Sequence, residues 1–431
     1  MKNSMIEQQV NYIHHSLDQA NYLPIVETIN GSSAGTTLSF NGDEFINFSV
    51  NGYLGLADHP RVKQAQSEAV LKCGSGAGAS RLTGGTNEYH IRLEEAIAKF
   101  KDPTGKKKAI IFSAGYLANI GPIPALLFPP YLNDVETFMP ETKRDWGSAA
   151  ILVDSRAHNC ILSGALLANG WSLYMTRNQK NVEIIPFSHN KPYSLEKKLS
   201  KCQASRILIA VDGVYSLNGH IAPLAEYADI AERYGAMLYT DDAHATGVLG
   251  ECGRGSAEYC DVEGRVDIQM GTFSKALGGQ GGFIVANEEI VEYLRYSSGT
   301  YMFQTALAPS IAAGLVEAIK IVQSLEGLAL RIKLWQNVAY IKQQLGCHGY
   351  DIMGSQTQII PIAIESEQKG RLVAEELKKR HIYAPCYYSK AVSDGAIIRL
   401  NIMATHTSDQ LDYFIKALDE SVEAVNCLSA V

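Results

Sequence analysis

A chain of 431 residues is long enough for two domains, or for one large domain with an appendage, each burying a sizeable core. Hydrophobic residues at 46% and charged residues at 19% exclude a disordered or fibrous chain. The net charge of -7, with no basic block longer than Lys106-Lys107-Lys108, excludes nucleic acid as the principal partner.

The first expected element is an amphipathic helix around residues 7–20. A hairpin follows, with Asn41-Gly42-Asp43 turning between Thr37-Leu-Ser-Phe40 and Phe45-Ile-Asn-Phe48. Residues 1–59 read as an N-terminal arm. From 60 to 300, apolar strand-like runs at 109–112, 150–153, 207–211 and 236–240 alternate with helical periodicity. That alternation predicts an α/β domain built on a mostly parallel sheet covered by helices, with ligands at the carboxyl ends of the strands. The polar, proline-containing stretch 129–147 has no periodicity and reads as a long loop insertion, either a lid or a surface excursion. Beyond 301, a helical stretch over 309–344, strand-like runs at 359–364 and 396–400 and a last helix over 408–424 predict a smaller α+β domain, 301–431.

The eight cysteines are scattered, with no C-x-x-C pair and no histidine cluster at metal spacing, so no metal is expected. Scattered cysteines fit a reducing compartment, and the amino terminus has no basic stretch leading into an apolar one. A cytoplasmic protein is expected. The longest apolar stretch, 120–128, contains two prolines and falls far short of the ~20 residues of a membrane span.

Four segments carry candidate chemistry. Lys275 lies in Gly271-Thr-Phe-Ser-Lys-Ala-Leu-Gly-Gly279, among hydroxyls and glycine amides that can hold a phosphate. A lysine amine forms Schiff bases once its pKa falls from ~10.4 towards neutrality, and an aldehyde bearing a phosphate describes pyridoxal phosphate. Taken alone, such a lysine is more often a surface residue on a glycine loop. Asp241-Asp-Ala-His244 follows a strand, where a carboxylate can keep a pyridine nitrogen protonated or simply cap the next turn. Phe112-Ser-Ala-Gly115-Tyr116 opens a helix after another strand and offers backbone N–H groups to a phosphate. His158, in Asp154-Ser-Arg-Ala-His158, can stack on an aromatic ring.

Together with Asn51-Gly-Tyr-Leu-Gly-Leu56, Gly78-Ala-Ser-Arg-Leu-Thr-Gly-Gly85, Asp212-Gly-Val-Tyr-Ser-Leu-Asn-Gly219 and Gly253-Arg-Gly-Ser256, these segments resemble the α-oxoamine synthases over nearly the whole chain. This pyridoxal phosphate family of fold type I includes 8-amino-7-oxononanoate synthase, glycine C-acetyltransferase and serine palmitoyltransferase. The resemblance implies that Lys275 is the Schiff base lysine and moves the Cα proton. It pairs Asp241 with the pyridine nitrogen, sets His244 and Ser216 beside the phenolic oxygen and stacks His158 on the ring. Gly115, Tyr116, Thr272 and Ser274 are implied phosphate contacts. Asn51 and Arg399 are implied for the amino acid, the arginine fork suiting its carboxylate.

The implied reaction is a decarboxylative condensation of glycine, alanine or serine with an acyl thioester of coenzyme A or a carrier protein, giving a 2-amino ketone. A homodimer with sites at its interface is implied as well. The residues leave open an aminotransferase or lyase of the same fold, and a catalytically silent binding subunit. Three positions depart from the family pattern. No second arginine precedes Arg399, leaving Tyr387 or Lys390 to substitute; Asn159-Cys160 follows His158 where the family commonly shows Ala-Ser; and Gln304 stands where relatives place a Ser or Thr that reaches the partner's phosphate. Subfamily signals are mixed: 253–267 looks like glycine C-acetyltransferase, while 271–275 and 301–303 look like serine palmitoyltransferase. A medium or long acyl chain is expected.

Overall fold

The computed structural model describes residues 5–19, 28–40, 42–128, 147–175, 182–388 and 395–429. Apart from Gly147, the expected insertion at 129–147 lies outside the described residues, as do Asn41 of the hairpin turn and Lys390.

A helix over Met5–Gln19 precedes a hairpin of β1 (Thr37–Phe40) and β2 (Asp43–Asn47), paired antiparallel with Phe40 opposite Asp43. The large sheet consists of β3 (Lys107–Phe112), β4 (Ala149–Asp154), β5 (Val182–Phe187), β6 (Arg206–Asp212), β7 (Met237–Asp241), β8 (Ile268–Thr272) and β9 (Gly282–Asn287), in the order β3-β9-β8-β7-β6-β4-β5. Strands β5, β4, β6, β7 and β8 pair parallel, and β9 runs antiparallel to both of its neighbours. Every residue of β4 is buried, which explains its apolar run from Ala149 to Val153: helices cover both faces, and the one polar residue, Asp154, comes at its carboxyl end.

Strands β5, β8 and β9 are additional to the expected runs. Gln269 and Gly271 interrupt β8, and β9 begins inside a glycine run, so neither stands out as apolar, yet both lie inside the sheet with a strand on either side. The helical stretch expected over 309–344 is two helices, Pro309–Val322 and Leu325–Cys347. The chain breaks at Ser324, whose Oγ accepts the N–H of Gly327 at 3.4 Å and caps the second helix.

The C-terminal part adds β10 (Ile359–Ile364), β11 (Ile382–Tyr383), β12 (Cys386–Tyr388) and β13 (Ala396–Asn401). The antiparallel sheet β10-β13-β12 is packed by helix Glu367–Lys379, on which helix Ser408–Ser429 packs in turn. Strand β11 pairs parallel with β2, so the hairpin near the amino terminus forms one small sheet with C-terminal residues. That pairing leads the chain from β2 into the segment Asn51–Leu56, which passes the carboxyl edge of the large sheet and sets the geometry of the site.

Candidate active site

Strands β3, β4, β6, β7 and β8 all end on one edge of the large sheet, and a cavity of about 340 Å³ opens there. Asp212 and Asp241 are register partners at the ends of β6 and β7, and Lys275 follows β8. Gly115 and Tyr116 follow β3, while His158 follows β4. The structure therefore brings Gly115, Tyr116, His158, Ser216, Asp241, His244, Thr272, Ser274 and Lys275 into the lining of one cavity. Asn51 and Arg399 join them through His244 and Tyr53.

Lys275 Nζ lies 2.9 Å from His244 Nε2, and His244 Nδ1 lies 2.6 Å from the Tyr53 hydroxyl. Desolvation, only partly offset by the carboxylate of Asp241, brings the Lys275 amine down from 10.5 to about 8. The same loss of solvent, reinforced by Lys275, Arg399 and His158, pushes His244 well below the ordinary histidine range, so this imidazole is neutral. Asp241 is buried and held from two sides: Asn119 Nδ2 donates to Oδ2 at 2.7 Å, and the Ala243 N–H donates to Oδ1 at 2.9 Å. Asn119 in turn accepts the Tyr239 hydroxyl at 2.6 Å. Asp212, fully desolvated beside Asp241, is raised well above the carboxylate range, and it accepts the His158 N–H at 2.8 Å. Two carboxylates at adjacent strand ends thus share the edge, and burial together with the neighbouring Asp241 disfavours charge on Asp212.

Arg399 is buried on β13. Its Nη2 donates to Asn51 Oδ1 at 3.3 Å, and its guanidinium lies 5.7 Å from the centre of the Tyr387 ring. Of the two residues expected to compensate for a missing second arginine, Tyr387 is thus in contact with Arg399. Tyr116 extends outward, its hydroxyl within hydrogen-bond distance of Asn159 Oδ1 and Ser163 Oγ. The Cys160 thiol, where the family pattern has serine, lies 2.8 Å from His158 Nδ1 and 3.8 Å from Asp241 Oδ2, so it bridges that histidine and the buried carboxylate. Gln304 is half-buried, and its Oε1 has no hydrogen-bond donor among the described residues.

Tyr53, Asn119, Cys160 and Asp212 were not expected as site residues. Tyr53 lies inside the Asn51–Leu56 motif, and the close approach that seats it was legible only as glycines. A Cβ at Gly278, whose φ is 69°, would stand 2.2 Å from the Ala57 nitrogen, so the Lys275 loop closes directly on this segment.

The cavity fits a phosphorylated pyridoxal. The backbone at Gly115 passes so close to Thr272 that a Cβ would fall 2.8 Å from its Oγ1, and the Thr272 and Ser274 hydroxyls are 2.9 Å apart beside it. The buried Ser113 Oγ near this turn has no partner among the described residues. One end of the site is thus lined with N–H and O–H donors, the other carries an anchored carboxylate, and an amine of lowered pKa lies between. Gly115→Ala is expected to weaken retention of the phosphorylated cofactor about tenfold by crowding this cradle, measured by equilibrium dialysis against pyridoxal phosphate; unchanged retention would argue against the phosphate lying here.

The family model for aminotransferase class I and II matches residues 43–132 and 174–418. The chain belongs to that family. An 8-amino-7-oxononanoate synthase of Geobacter sulfurreducens is 37% identical over 396 residues, covering 91% of this chain and 92% of the relative. A serine palmitoyltransferase of Sphingobacterium spiritivorum is 33% identical over 389 residues, covering 90% and 89%. Among solved structures, Sphingomonas wittichii serine palmitoyltransferase superposes with a TM-score of 0.84 at 28% identity over 99% of both chains. SPT with its PLP internal aldimine superposes at 0.85 with 27% identity, over 98% of this chain and 100% of that one. Within the aminotransferase family the chain is an α-oxoamine synthase, a C-acyltransferase with the fold type I architecture, and its cofactor is pyridoxal 5'-phosphate. No helix among the described residues is long and apolar enough to cross a membrane.

Proposed function

We propose that this enzyme condenses glycine, alanine or serine with a medium or long acyl thioester of coenzyme A or a carrier protein, releasing carbon dioxide, the thiol and a 2-amino ketone. The observation that carries this reading is the hydrogen-bonded line from Lys275 through His244, Tyr53 and Asn51 to Arg399, whose two ends are an amine suited to proton transfer and a guanidinium suited to a carboxylate. The family of the chain and the names of its relatives support the same chemistry.

Pyridoxal phosphate, when bound, supplies an electron sink for the carbon that carries the amino group. Gly115, Tyr116, Thr272 and Ser274 would hold its phosphate. Asp241, fixed by Asn119 and the Ala243 N–H, would face the ring nitrogen, and His158 would cover the ring. Ser216 and His244 would lie by its phenolic oxygen. Arg399 and Asn51 grip the amino acid carboxylate and so fix the Cα–H bond towards Lys275. With its pKa near 8, Lys275 is suited to take that proton near neutral pH. The Cα–H electron pair then forms the bond to the acyl carbon, the thiolate leaves, and loss of the carboxylate returns an electron pair to Cα, which is reprotonated.

Two further expectations belong to this reading. The enzyme acts as a homodimer with sites at the interface, consistent with exposed apolar residues such as Leu162, Leu166 and Tyr174 on the helix Asn159–Met175. It works in the cytoplasm, in keeping with eight free cysteines. The test pairs acetyl, octanoyl and palmitoyl thioesters with glycine, alanine and serine. Free thiol and carbon dioxide should appear in equal amounts, fastest with a medium or long chain. Turnover with acetyl alone would refute the chain-length assignment, and amino transfer to a keto acid without thioester-dependent carbon dioxide would refute the reaction.

A further inference from the structure

Tyr53 is completely buried, and its hydroxyl has two acceptors within reach: Asn51 Oδ1 at 3.0 Å and His244 Nδ1 at 2.6 Å. A phenol has one hydrogen, so it donates to only one of them at a time. Which one it serves is decided at the other end of His244. With Lys275 as a free ammonium, Nζ donates to Nε2 at 2.9 Å, and a neutral imidazole must then carry its hydrogen on Nδ1. Nδ1–H donates to the Tyr53 oxygen, and Tyr53 donates to Asn51. Asn51 Oδ1 in this state receives two donors, Tyr53 and Arg399.

The opposite arrangement follows when the lysine no longer offers a hydrogen to Nε2 and that nitrogen faces an acceptor, such as a phenolic oxygen. The imidazole hydrogen then belongs on Nε2. Nδ1 becomes an acceptor, and among the described residues Tyr53 is the side-chain hydroxyl placed to serve it. Turning its O–H to His244 withdraws it from Asn51, whose oxygen is left to Arg399 alone. The His244 backbone is held throughout, since Gln358 Nε2 donates to its carbonyl at 2.9 Å, and Tyr53 itself is sealed in the core. The charged groups that bear on His244 are Lys275, Arg399 and His158, and all three oppose a second proton on the imidazole, so the change is one of tautomer and not of charge.

We propose that Tyr53 is a positioning residue that sets the tautomer of His244 by switching its hydroxyl hydrogen between Asn51 and His244. In doing so it couples the state of Lys275 to the Asn51–Arg399 grip on the amino acid carboxylate. The inference rests on the cofactor and amino acid placement proposed above, but not on which thioester is used. It gives the Asn-Gly-Tyr segment a function in the chemistry beyond packing, although Tyr53 touches neither the lysine nor Arg399 through any hydrogen bond described.

The test is Tyr53→Phe, which keeps the ring and removes the hydroxyl, studied in the holoenzyme. Three quantities are read: the midpoint of the pH titration of the visible cofactor band, the dissociation constant of the amino acid from spectral titration, and the KM for the thioester. The expected result is a midpoint displaced by about one pH unit and amino acid binding weakened about tenfold, the scale of one lost buried hydrogen-bond partner, with the thioester KM unchanged. A merely structural role would lower stability and activity while leaving the midpoint and the amino acid affinity in place, and that outcome would overturn the proposal. His244→Asn supplies a second arm. On that background Tyr53 has no tautomer to set, so Tyr53→Phe should produce no further displacement of the midpoint; an equal displacement on both backgrounds would also overturn it. These readouts need no condensation, so a protein that turns over none of the thioesters but shows the displaced midpoint retains the Tyr53 inference and loses the proposed reaction.

Discussion

Replacing Lys275 with alanine is expected to abolish the visible band of the cofactor and to lower thioester-dependent carbon dioxide release by about a thousandfold or more. In the proposed mechanism this variant loses the covalent attachment and the general base together. The apoprotein gives an independent check through stability. The folded-state pKa of Lys275 is lowered from 10.5 to about 8, so between these values the unfolded chain binds more protons than the folded one. Stability therefore rises with pH through that window: burial of the ammonium destabilises the fold below about pH 8, and the penalty disappears by about 10.5. Lys275→Ala removes this contribution, so urea midpoints of wild type and variant should differ most in the variant's favour below pH 8 and converge above 10. Wild-type absorbance and activity in the variant would refute the assignment of the lysine. A pH-independent difference in midpoint would refute the cause given for its lowered pKa.

Much of this site was legible because its chemistry lies at strand ends. Asp241, His158, Gly115 and Lys275 each follow an apolar run or a glycine turn within a few residues, and parallel strands deliver such positions to one edge without any knowledge of their neighbours. The expected parallel sheet holds for the same reason, since fully buried β4 and nearly fully buried β6 and β7 are apolar almost throughout. Strand β9 was not legible, since Gly281 and Gly282 at its start are used for close approach and mask the strand pattern of Phe283 to Ala286.

The supporting residues were hidden for a different reason. Tyr53 and His244 are separated by 191 positions, Asn119 and Asp241 by 122, and Asn51 and Arg399 by 348. No periodicity encodes such pairs; they exist only once the hairpin has paired with β11 and the Lys275 loop has closed on Leu56 and Ala57. Cys160 illustrates the limit from the other side. Its departure from the family's serine is visible in the sequence, but its placement between His158 and Asp241 comes from the fold.

Asp242, the neighbour of Asp241, faces away from the chemistry into a wholly buried ion pair, and its disruption is expected to have the largest effect on stability. Lys101 Nζ donates to Asp242 Oδ2 at 2.7 Å, and both side chains are 0% exposed. Lys101 also donates to the Arg254 carbonyl, and Asp242 accepts from the Ser256 hydroxyl and, at 3.2 Å, from the Ser256 N–H. Every charge here is paired and hydrogen-bonded, the condition under which burial is tolerated. Lys101→Met preserves much of the side-chain length but leaves a carboxylate without its cation, and it should cost about 3–5 kcal/mol in urea unfolding of the apoprotein. Lys101→Met combined with Asp242→Asn removes both charges and should recover part of that loss, because an isolated buried charge is costlier than a neutral amide with the same donors. Equal destabilisation in the single and double variants would show that packing, not charge, governs this contact. Since Asp242 is bonded through its backbone N–H to Met270 on β8 and lies next to Asp241, loss of the pair should also loosen the strand end that presents the Asp241 carboxylate. The single variant should therefore bind pyridoxal phosphate more weakly even where it remains folded, and the double variant should regain part of that affinity.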